Sequence, residues 1–180
     1  MPDSSIPVHI ARIALALVLI VQTPVSAQDV TEPALKGVFI YNFAKFTEWP
    51  ADVVPPAAPF VMCVLGDAAV GDALERAVRE RVIAGHSMAV SNRAAADGAR
   101  KTCHVLYLSG VTSGEAAQLV AALRDVPVLT ISDVDGFTEL GGIAQFFFEH
   151  GRLRFNVHVE SARRARLQIS SKLLALATPR

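Results

Sequence analysis

Two serines and three acids stand where α/β proteins often carry catalytic residues. Ser109 and Ser132 each end an apolar run that predicts a buried strand, and sites in such folds lie beyond the carboxyl ends of the strands. Neither serine is part of the Gly-x-Ser-x-Gly pattern that exposes a nucleophile, and no histidine can be identified as its base. The loop acids Asp133, Asp135 and Glu139 are interpreted as solvated. The pattern therefore does not predict a hydrolase.

Metal and phosphate sites are not predicted either. Four histidines show no zinc-type spacing with cysteine or carboxylate; they are His86, His104, His150 and His158. The glycine-rich stretch 66–72 lacks the lysine followed by serine or threonine that a phosphate loop requires. Asp67 or Asp72 is better interpreted as the cap of the next helix. We expect no cofactor, no metal and no catalytic residue.

The first helical segment is one of two features that indicate binding. Its pattern predicts a helix from residue 34 to about Trp49, since Pro50 disfavours a helical residue before it. Apolar residues recur at helical spacing, with Lys36 and Lys45 off the stripe, which consists of Leu35, Val38, Phe39, Phe43 and Phe46. Asn42 lies in line with the stripe, and a buried amide without partners costs about 1–3 kcal/mol. Asn42 is therefore bonded to nearby backbone or exposed at a contact surface, which would also include Tyr41 and Lys45.

A β-hairpin is the second such feature. Strand-like runs at 143–149 and 152–158 are separated by His150 and Gly151, the length of a tight turn. This turn pairs residue 149 with 152, 147 with 154 and 145 with 156, and buries the face that carries Phe146, Phe148, Leu153 and Phe155. The opposite face should present a polar row of Arg152, Arg154, Asn156 and His158. With Arg163, Arg164 and Arg166, this row makes a basic region, either a solvated face or a contact for a partner or an anion.

The remaining pattern predicts a single α/β domain. Apolar runs at 60–65, 103–108 and 126–132 alternate with helical patterns at 71–81 and 114–124. Such runs indicate a largely parallel sheet covered on both faces. We predict three layers, with a central, largely parallel sheet, the antiparallel hairpin at its C-terminal end and flanking helices.

The beginning of the chain has the order of a secretory signal peptide. Nine uncharged apolar residues, 13–21, are followed by Pro24 and the small-residue ending at Ala27. An uncleaved anchor is the alternative, but nine residues are too few for a hydrocarbon core, which needs about 20. We therefore predict a cleaved leader over 1–27, a short tail over 28–33 and the domain over 34–180.

Charge and cysteine content agree with an exported binding protein. The chain has 17 basic and 17 acidic residues, and one of each (Arg12 and Asp3) lies in the leader. A neutral domain argues against nucleic acid as partner, because that binding neutralises phosphates. Cys63 and Cys103 are the two cysteines. They are expected to pair in an oxidising compartment; the alternative is two buried thiols.

Five stretches in order resemble the YfiR-like (HmsC-like) periplasmic proteins. They are residues 41–50 (YNFAKFTEWP), 63–67 (CVLGD), 103–106 (CHVL), 151–156 (GRLRFN) and 170–174 (SSKLL). The resemblance covers about residues 34–177 and implies an α/β periplasmic regulator that is not an enzyme. Cys63 and Cys103 each match a family disulfide position, whereas the second cysteine pair of some relatives is absent.

The resemblance also implies the class of partner. Relatives bind the periplasmic sensor domain of an inner-membrane diguanylate cyclase and hold it inactive, until an outer-membrane lipoprotein or a redox change releases the hold. This controls cyclic-di-GMP and biofilm formation, and such proteins tend to form homodimers. The surface residues we expect to take part are Tyr41, Asn42, Lys45, Arg152, Arg154, Asn156, His158 and Lys172. The alternative is a periplasmic sensor of a small anion or nucleotide.

Overall fold

A computed structural model describes residues 31–92 and 96–179. The predicted leader, 1–27, lies outside the described residues, as does the first half of the predicted tail, 28–30. Within the described ranges, no helix is both long enough and apolar enough to cross a membrane.

Six helices and nine strands are described. The helices are α1 (Glu32–Lys45), α2 (Ala68–Val78), α3 (Ala96–Thr102), α4 (Ser113–Leu123), α5 (Val159–Arg164) and α6 (Ser171–Leu174). The strands are β1 (Thr47–Glu48), β2 (Phe60–Leu65), β3 (Val82–Ile83), β4 (His86–Ser91), β5 (Val105–Leu108), β6 (Leu129–Ser132), β7 (Ala144–Glu149), β8 (Arg152–Val157) and β9 (Gln168–Ile169).

The central sheet has seven strands in the order β3-β4-β2-β5-β6-β7-β8. Strands β4, β2, β5, β6 and β7 are parallel to one another, and β3 and β8 are antiparallel additions at the two edges. Alternate residues of each buried strand point to opposite faces. One face packs against α1 and α2 through residues such as Val64 and Tyr107, and the other packs against α3 and α4. The predicted three-layer α/β domain is confirmed.

Local capping explains where helices begin. The Asp67 carboxylate accepts a hydrogen bond from the Val70 amide at 3.1 Å, so Asp67 is the cap of α2. Of the two alternatives, Asp67 rather than Asp72 is therefore the cap, and the helix begins three residues before the predicted start. Thr112 and Glu115 form a capping box at the start of α4, which satisfies two amides at that end.

The first helix ends four residues before the predicted boundary. It stops at Lys45, and Thr47 and Glu48 instead form β1, which pairs with Ile169 and Gln168 of β9. The Thr47 hydroxyl donates to the Phe43 carbonyl at 2.7 Å, so a side chain replaces the next backbone bond of the helix. This two-stranded sheet ties the end of α1 to the C-terminal segment.

The hairpin has the predicted register. Glu149 pairs with Arg152, Phe147 with Arg154 and Gln145 with Asn156. Both turn residues have positive φ, 49° at His150 and 72° at Gly151, which is the geometry of a type I′ turn whose twist matches that of the flanking strands.

Candidate functional site

Helix α1 buries a different face from the one its stripe predicts. Its buried residues are Lys36, Gly37, Ile40, Tyr41, Phe43 and Ala44. A Cβ on Gly37 would lie 2.9 Å from the Leu74 backbone nitrogen, so glycine at this position allows α1 to lie directly against α2. The predicted stripe is therefore only partly in the core, and Val38 is 45% exposed.

The rest of the stripe forms one wall of an apolar groove, which we call the α1 groove. Its volume is about 220 Å³, and its lining is Phe39, Asn42, Phe43, Phe46, Phe155, Lys172, Leu173 and Leu176. Phe155 comes from β8 and packs edge-to-face on Phe43, with ring centroids 4.9 Å apart. Leu176, at the open side, is 70% exposed. The groove is thus bounded by α1, the last strand of the sheet and the C-terminal segment.

Backbone hydrogen bonds hold the C-terminal wall of the groove. The Ser170 amide donates to the Phe46 carbonyl at 2.9 Å, and the Thr178 amide donates to the Phe155 carbonyl at 2.8 Å. Ser170 also caps α6 through its side chain, which accepts from the Lys172 amide. The wall is therefore anchored at both ends, while Leu176 between them faces outward.

The side chain of Asn42 is not bonded to nearby backbone, which was one of the two alternatives that its position left open. The backbone carbonyl of Asn42 accepts the helix-ending bond from the Phe46 amide, but its side-chain amide forms no hydrogen bond within the described residues. The residue is half-buried in the groove lining. Its amide can therefore bond to a bound partner at an otherwise apolar surface.

Two lysines lie near the groove. Lys172 lines it, and the Lys45 ammonium lies 5.8 Å from the centroid of the Phe46 ring. Both lysines are exposed. Tyr41 does not join them, because it is buried on the other side of α1, with the Arg81 guanidinium 4.7 Å from its ring centroid. The α1 groove thus combines an aromatic lining, one amide and positive charge.

A family comparison matches the YfiR/HmsC-like model to residues 33–178. The chain belongs to the YfiR/HmsC-like family. The match covers nearly all of the described residues, and the groove residues Asn42, Phe46 and Lys172 lie in stretches that carry the resemblance. A comparison with curated proteins found no match.

In this YfiR/HmsC-like protein, one member of the polar row of the hairpin, Asn156, is buried. Asn156 is 4% exposed, and the Thr138 hydroxyl donates to its side-chain oxygen at 3.2 Å. Gln145 beside it is also buried. The prediction of an exposed Asn156 is wrong because the loop that contains Thr138 covers this end of the hairpin.

The other hairpin residues have separate environments. Arg152 and Arg154 are exposed, and Arg154 rather than Arg152 pairs with Glu149, at 3.6 Å. Their side chains point away from the sheet face that carries Phe155 and the α1 groove, because alternate strand residues face opposite ways. His158 caps α5, with Nδ1 accepting from the Ser161 amide at 3.1 Å. Phe148, predicted to be core, is 44% exposed at the end of the hairpin.

The carboxyl ends of the central strands hold an internal polar cluster. The Asp133 carboxylate accepts from the Lys36 ammonium at 2.7 Å, the Tyr107 hydroxyl at 2.9 Å and the Ser109 hydroxyl at 3.0 Å. Glu32 also contacts Lys36, at 2.6 Å. The prediction that Asp133 is solvated is therefore wrong. The edge at which α/β folds bind ligands is here crossed by the side chain of Lys36.

The pKa values in this cluster follow from its contacts. Burial by itself lowers the pKa of Lys36, but the hydrogen bonds and charges of Asp133 and Glu32 outweigh it and raise the pKa. Burial, and then the Asp133 charge, raise the pKa of Tyr107. Lys36 is therefore a cation and Tyr107 a neutral donor at neutral pH, so neither is poised as a nucleophile. Within the described residues, no three His, Cys, Asp or Glu side chains are grouped to hold a metal ion.

Cys63 and Cys103 form a disulfide, as expected for a protein in an oxidising compartment. Cys63 lies on β2 and Cys103 just before β5, and both side chains are buried in the core between the sheet and α3 and α4. The disulfide is on the opposite face of the sheet from α1. It therefore braces the fold and takes no part in the groove.

Sequence reasoning missed three groove residues and the role of Lys36. Phe155 is predicted only as a core residue, and Leu173 and Leu176 are not predicted as site residues, because their position across from α1 depends on long-range contacts. Lys36 did carry a signal: it lies four residues before Ile40 and seven before Phe43, on the buried face of α1. That spacing places a charge in the core, which in turn requires a buried partner.

Proposed function

We propose that this protein is a periplasmic regulator that binds the sensor domain of an inner-membrane diguanylate cyclase through the α1 groove. The observation that carries the proposal is the groove itself, an aromatic concavity with an unbonded Asn42 amide and exposed Leu176. Membership of the YfiR/HmsC-like family supplies the class of partner. Export directed by the leader over 1–27, followed by its cleavage, would place the domain in the periplasm.

The groove has the composition expected of a protein-binding site. Aromatic side chains supply most of the burial energy at interfaces, and they concentrate in the central part that becomes fully desolvated. Phe155 packs edge-to-face on both Phe39 and Phe43, and Phe46 lies beside them in the lining. The surface is therefore formed before binding, which reduces the entropy that binding costs.

The polar groups of the groove would set the orientation of the bound partner. A partner side chain or backbone group that bonds to the Asn42 amide satisfies it, whereas an apolar group placed over it costs about 1–3 kcal/mol. Lys172 and Lys45 favour a partner whose rim is acidic, and such rim charges act mainly on the rate of association. The predicted partner surface is thus an apolar segment with acidic neighbours.

Binding represses the cyclase only if the inactive conformation is bound more tightly than the active one. A typical coupling free energy of about 1–3 kcal/mol corresponds to a change of about 5–150-fold in the equilibrium. The regulator needs no catalytic group for this role. An outer-membrane lipoprotein that covers the groove would release the cyclase, and the homodimer expected for the family remains a prediction.

The test compares two exposed apolar residues. Leu176→Asp places a charge at the open side of the groove, and Val82→Asp places the same charge on β3, where Val82 is 64% exposed. We expect the Leu176 variant to raise cyclic-di-GMP to the level of the gene deletion, and the Val82 variant to leave it at the level of the parent. Both substitutions are at the surface, and denaturation midpoints of the purified variants verify that they fold.

Two results would contradict the proposal. If deletion of the gene leaves cyclic-di-GMP unchanged, the protein does not repress a cyclase. If deletion raises it but Leu176→Asp, Phe39→Glu and Asn42→Asp all repress normally, the regulator acts through another surface.

A further inference from the structure

A second concave surface, which shares no residue with the α1 groove, lies between the end of α4, the loop before β7 and both ends of α5. Its volume is about 390 Å³, and its lining is Arg124, Thr138, Glu139, Leu140, Gly141, His158 and Arg164. We call it the α4–α5 pocket. Its chemistry differs from that of the α1 groove because most of its polar groups are hydrogen-bond donors.

The two arginines of the pocket are not used in ion pairs. Nearby arginines do have carboxylate partners: Arg154 pairs with Glu149, Arg163 with Glu160 and Arg166 with Asp52. Arg124 and Arg164 form no ion pair within the described residues. Arg164 donates only to the Ser161 hydroxyl, at 2.8 Å, which fixes one edge of its guanidinium and leaves its other donors available.

His158 adds a third donor of defined direction. Its Nδ1 accepts from the Ser161 amide, so the proton of the neutral imidazole is on Nε2. Thr138, which also lines the pocket, is 5% exposed, and its hydroxyl is bonded to the buried Asn156. The pocket therefore combines this buried polar pair with the donors of Arg124, Arg164 and His158 in one lining.

Glu139 is the one carboxylate in the lining. The backbone amide of Glu139 donates to the Gly136 carbonyl at 2.9 Å. If Gly136 had a Cβ, that atom would lie 2.8 Å from Oε2 of Glu139. The carboxylate therefore lies over its own loop. Its charge opposes that of the arginines and should limit the affinity of the pocket for anions.

We infer that the α4–α5 pocket binds a small tetrahedral oxyanion of the phosphate type. Two guanidinium groups present planar, fork-shaped donors that match phosphate oxygens in bidentate fashion. The inference does not rest on the proposed cyclase partner. It differs from the sequence-based expectation for an anion site: of the polar row on the hairpin, His158 lines the pocket, whereas Arg152 and Arg154 lie outside it.

The experiment measures binding of inorganic phosphate to the mature chain by calorimetry at low ionic strength and neutral pH. Arg124→Gln and Arg164→Gln should each weaken binding about tenfold, the loss expected for a charge-assisted hydrogen bond. Glu139→Gln should strengthen it several-fold. Arg152→Gln is the matched control, an exposed arginine outside the pocket, and should change nothing.

A second arm compares inorganic phosphate with glycerol 3-phosphate to identify the source of the anion. Tighter binding of the ester indicates a phosphorylated metabolite, and equal binding indicates free phosphate. Loss of binding in Arg152→Gln equal to that in Arg124→Gln would overturn the inference, as would the absence of phosphate binding in both the parent and Glu139→Gln. Neither result would bear on the α1 groove.

Discussion

Lys36 is the buried charge that joins α1 to the end of the sheet. Its ammonium lies between Asp133, at 2.7 Å, and Glu32, at 2.6 Å, and its side chain is almost completely buried whereas that of Glu32 is half exposed. A charge at this depth is tolerated only with its partner. The position of α1, and with it one wall of the α1 groove, therefore depends on the Lys36–Asp133 pair.

Lys36→Met keeps the length of the side chain and removes its charge. Asp133 then loses its cationic partner, and we expect the free energy of unfolding to fall by about 3 kcal/mol. Glu32→Gln is the control and should cost less than about 1 kcal/mol, because that contact is exposed to water. Chemical denaturation followed by circular dichroism measures both, and equal effects would show that the buried pair is not what holds α1.

His104 makes stability depend on pH. Its Nδ1 accepts a hydrogen bond from the Val61 amide at 2.8 Å, and its ring stacks on Phe60. Only a neutral ring can accept that bond. Burial, with a smaller contribution from the charge of His86, lowers the pKa of His104 from its ordinary 6.5. Between the lowered pKa and 6.5, His104 is therefore mostly neutral in the folded protein and mostly protonated in the unfolded chain.

We expect stability to decrease as the pH falls from about 6.5 toward the lowered pKa of folded His104, because in that window the unfolded state binds more protons. His104→Asn places an amide oxygen near the position of Nδ1 and cannot be protonated in this range, so its stability should change less between pH 7 and 5. Denaturation midpoints at several pH values test this, with the exposed His150→Asn as control. A slope unchanged in His104→Asn would assign the dependence to another group.

At the scale of elements, the disulfide joins β2 to the segment that enters β5. The cysteines are 40 residues apart in sequence, and the chain between them includes α2, β4 and α3. Closing a loop of that length reduces the entropy of the unfolded chain by an amount equivalent to about 4 kcal/mol. The bond therefore stabilises the half of the sheet that carries α2, against which α1 packs.

Replacing both cysteines by alanine should lower the free energy of unfolding by up to about 4 kcal/mol without changing the fold. Reductant should destabilise the parent protein but not the double variant, since the parent alone has a bond to lose. Because Cys63 and Cys103 are 2% and 5% exposed, reduction should require local opening and be slow under native conditions. Rapid reduction of the folded protein would contradict this structural role.

The elements also differ in how far the sequence specifies them. The register of the hairpin was predictable to the residue, because a two-residue turn that ends in Gly151 fixes the pairing, and a slip would exchange the two faces. The orientation of α1 about its own axis was not predictable, because the helix carries apolar side chains on most of its faces. Which of Phe39 and Ile40 is more buried depends on α2 and the C-terminal segment. The α1 groove, made from three distant parts of the chain, could be predicted only in its α1 wall.

Considered as a whole molecule, the protein has a predicted leader that would determine whether its disulfide forms, because the leader directs the chain to an oxidising compartment. The two thiols are expected to pair only under oxidising conditions, so export would add the disulfide to the stability of the domain. Hydrophobic burial alone already suits a domain of this size. The leaderless chain should therefore still fold in a reducing cytosol, but with a smaller free energy of unfolding.

Expression of the full chain in a bacterium should give a periplasmic product whose first residue is Gln28 and whose two cysteines resist alkylation after denaturation. The chain from residue 28, made in the cytosol with an added initiator methionine, should contain two alkylatable thiols. It should unfold at a lower denaturant concentration, equivalent to a loss of up to about 4 kcal/mol in the free energy of unfolding. Oxidising the purified cytosolic form should restore the higher midpoint, since the two forms then differ by one residue at the N-terminus. Intact mass and denaturation measurements distinguish the forms. A periplasmic product that retains residues 1–27 would contradict the predicted cleavage, and a cytosolic form as stable as the exported one would show that export adds no stability through the disulfide. Either result would weaken the proposed periplasmic location of this protein.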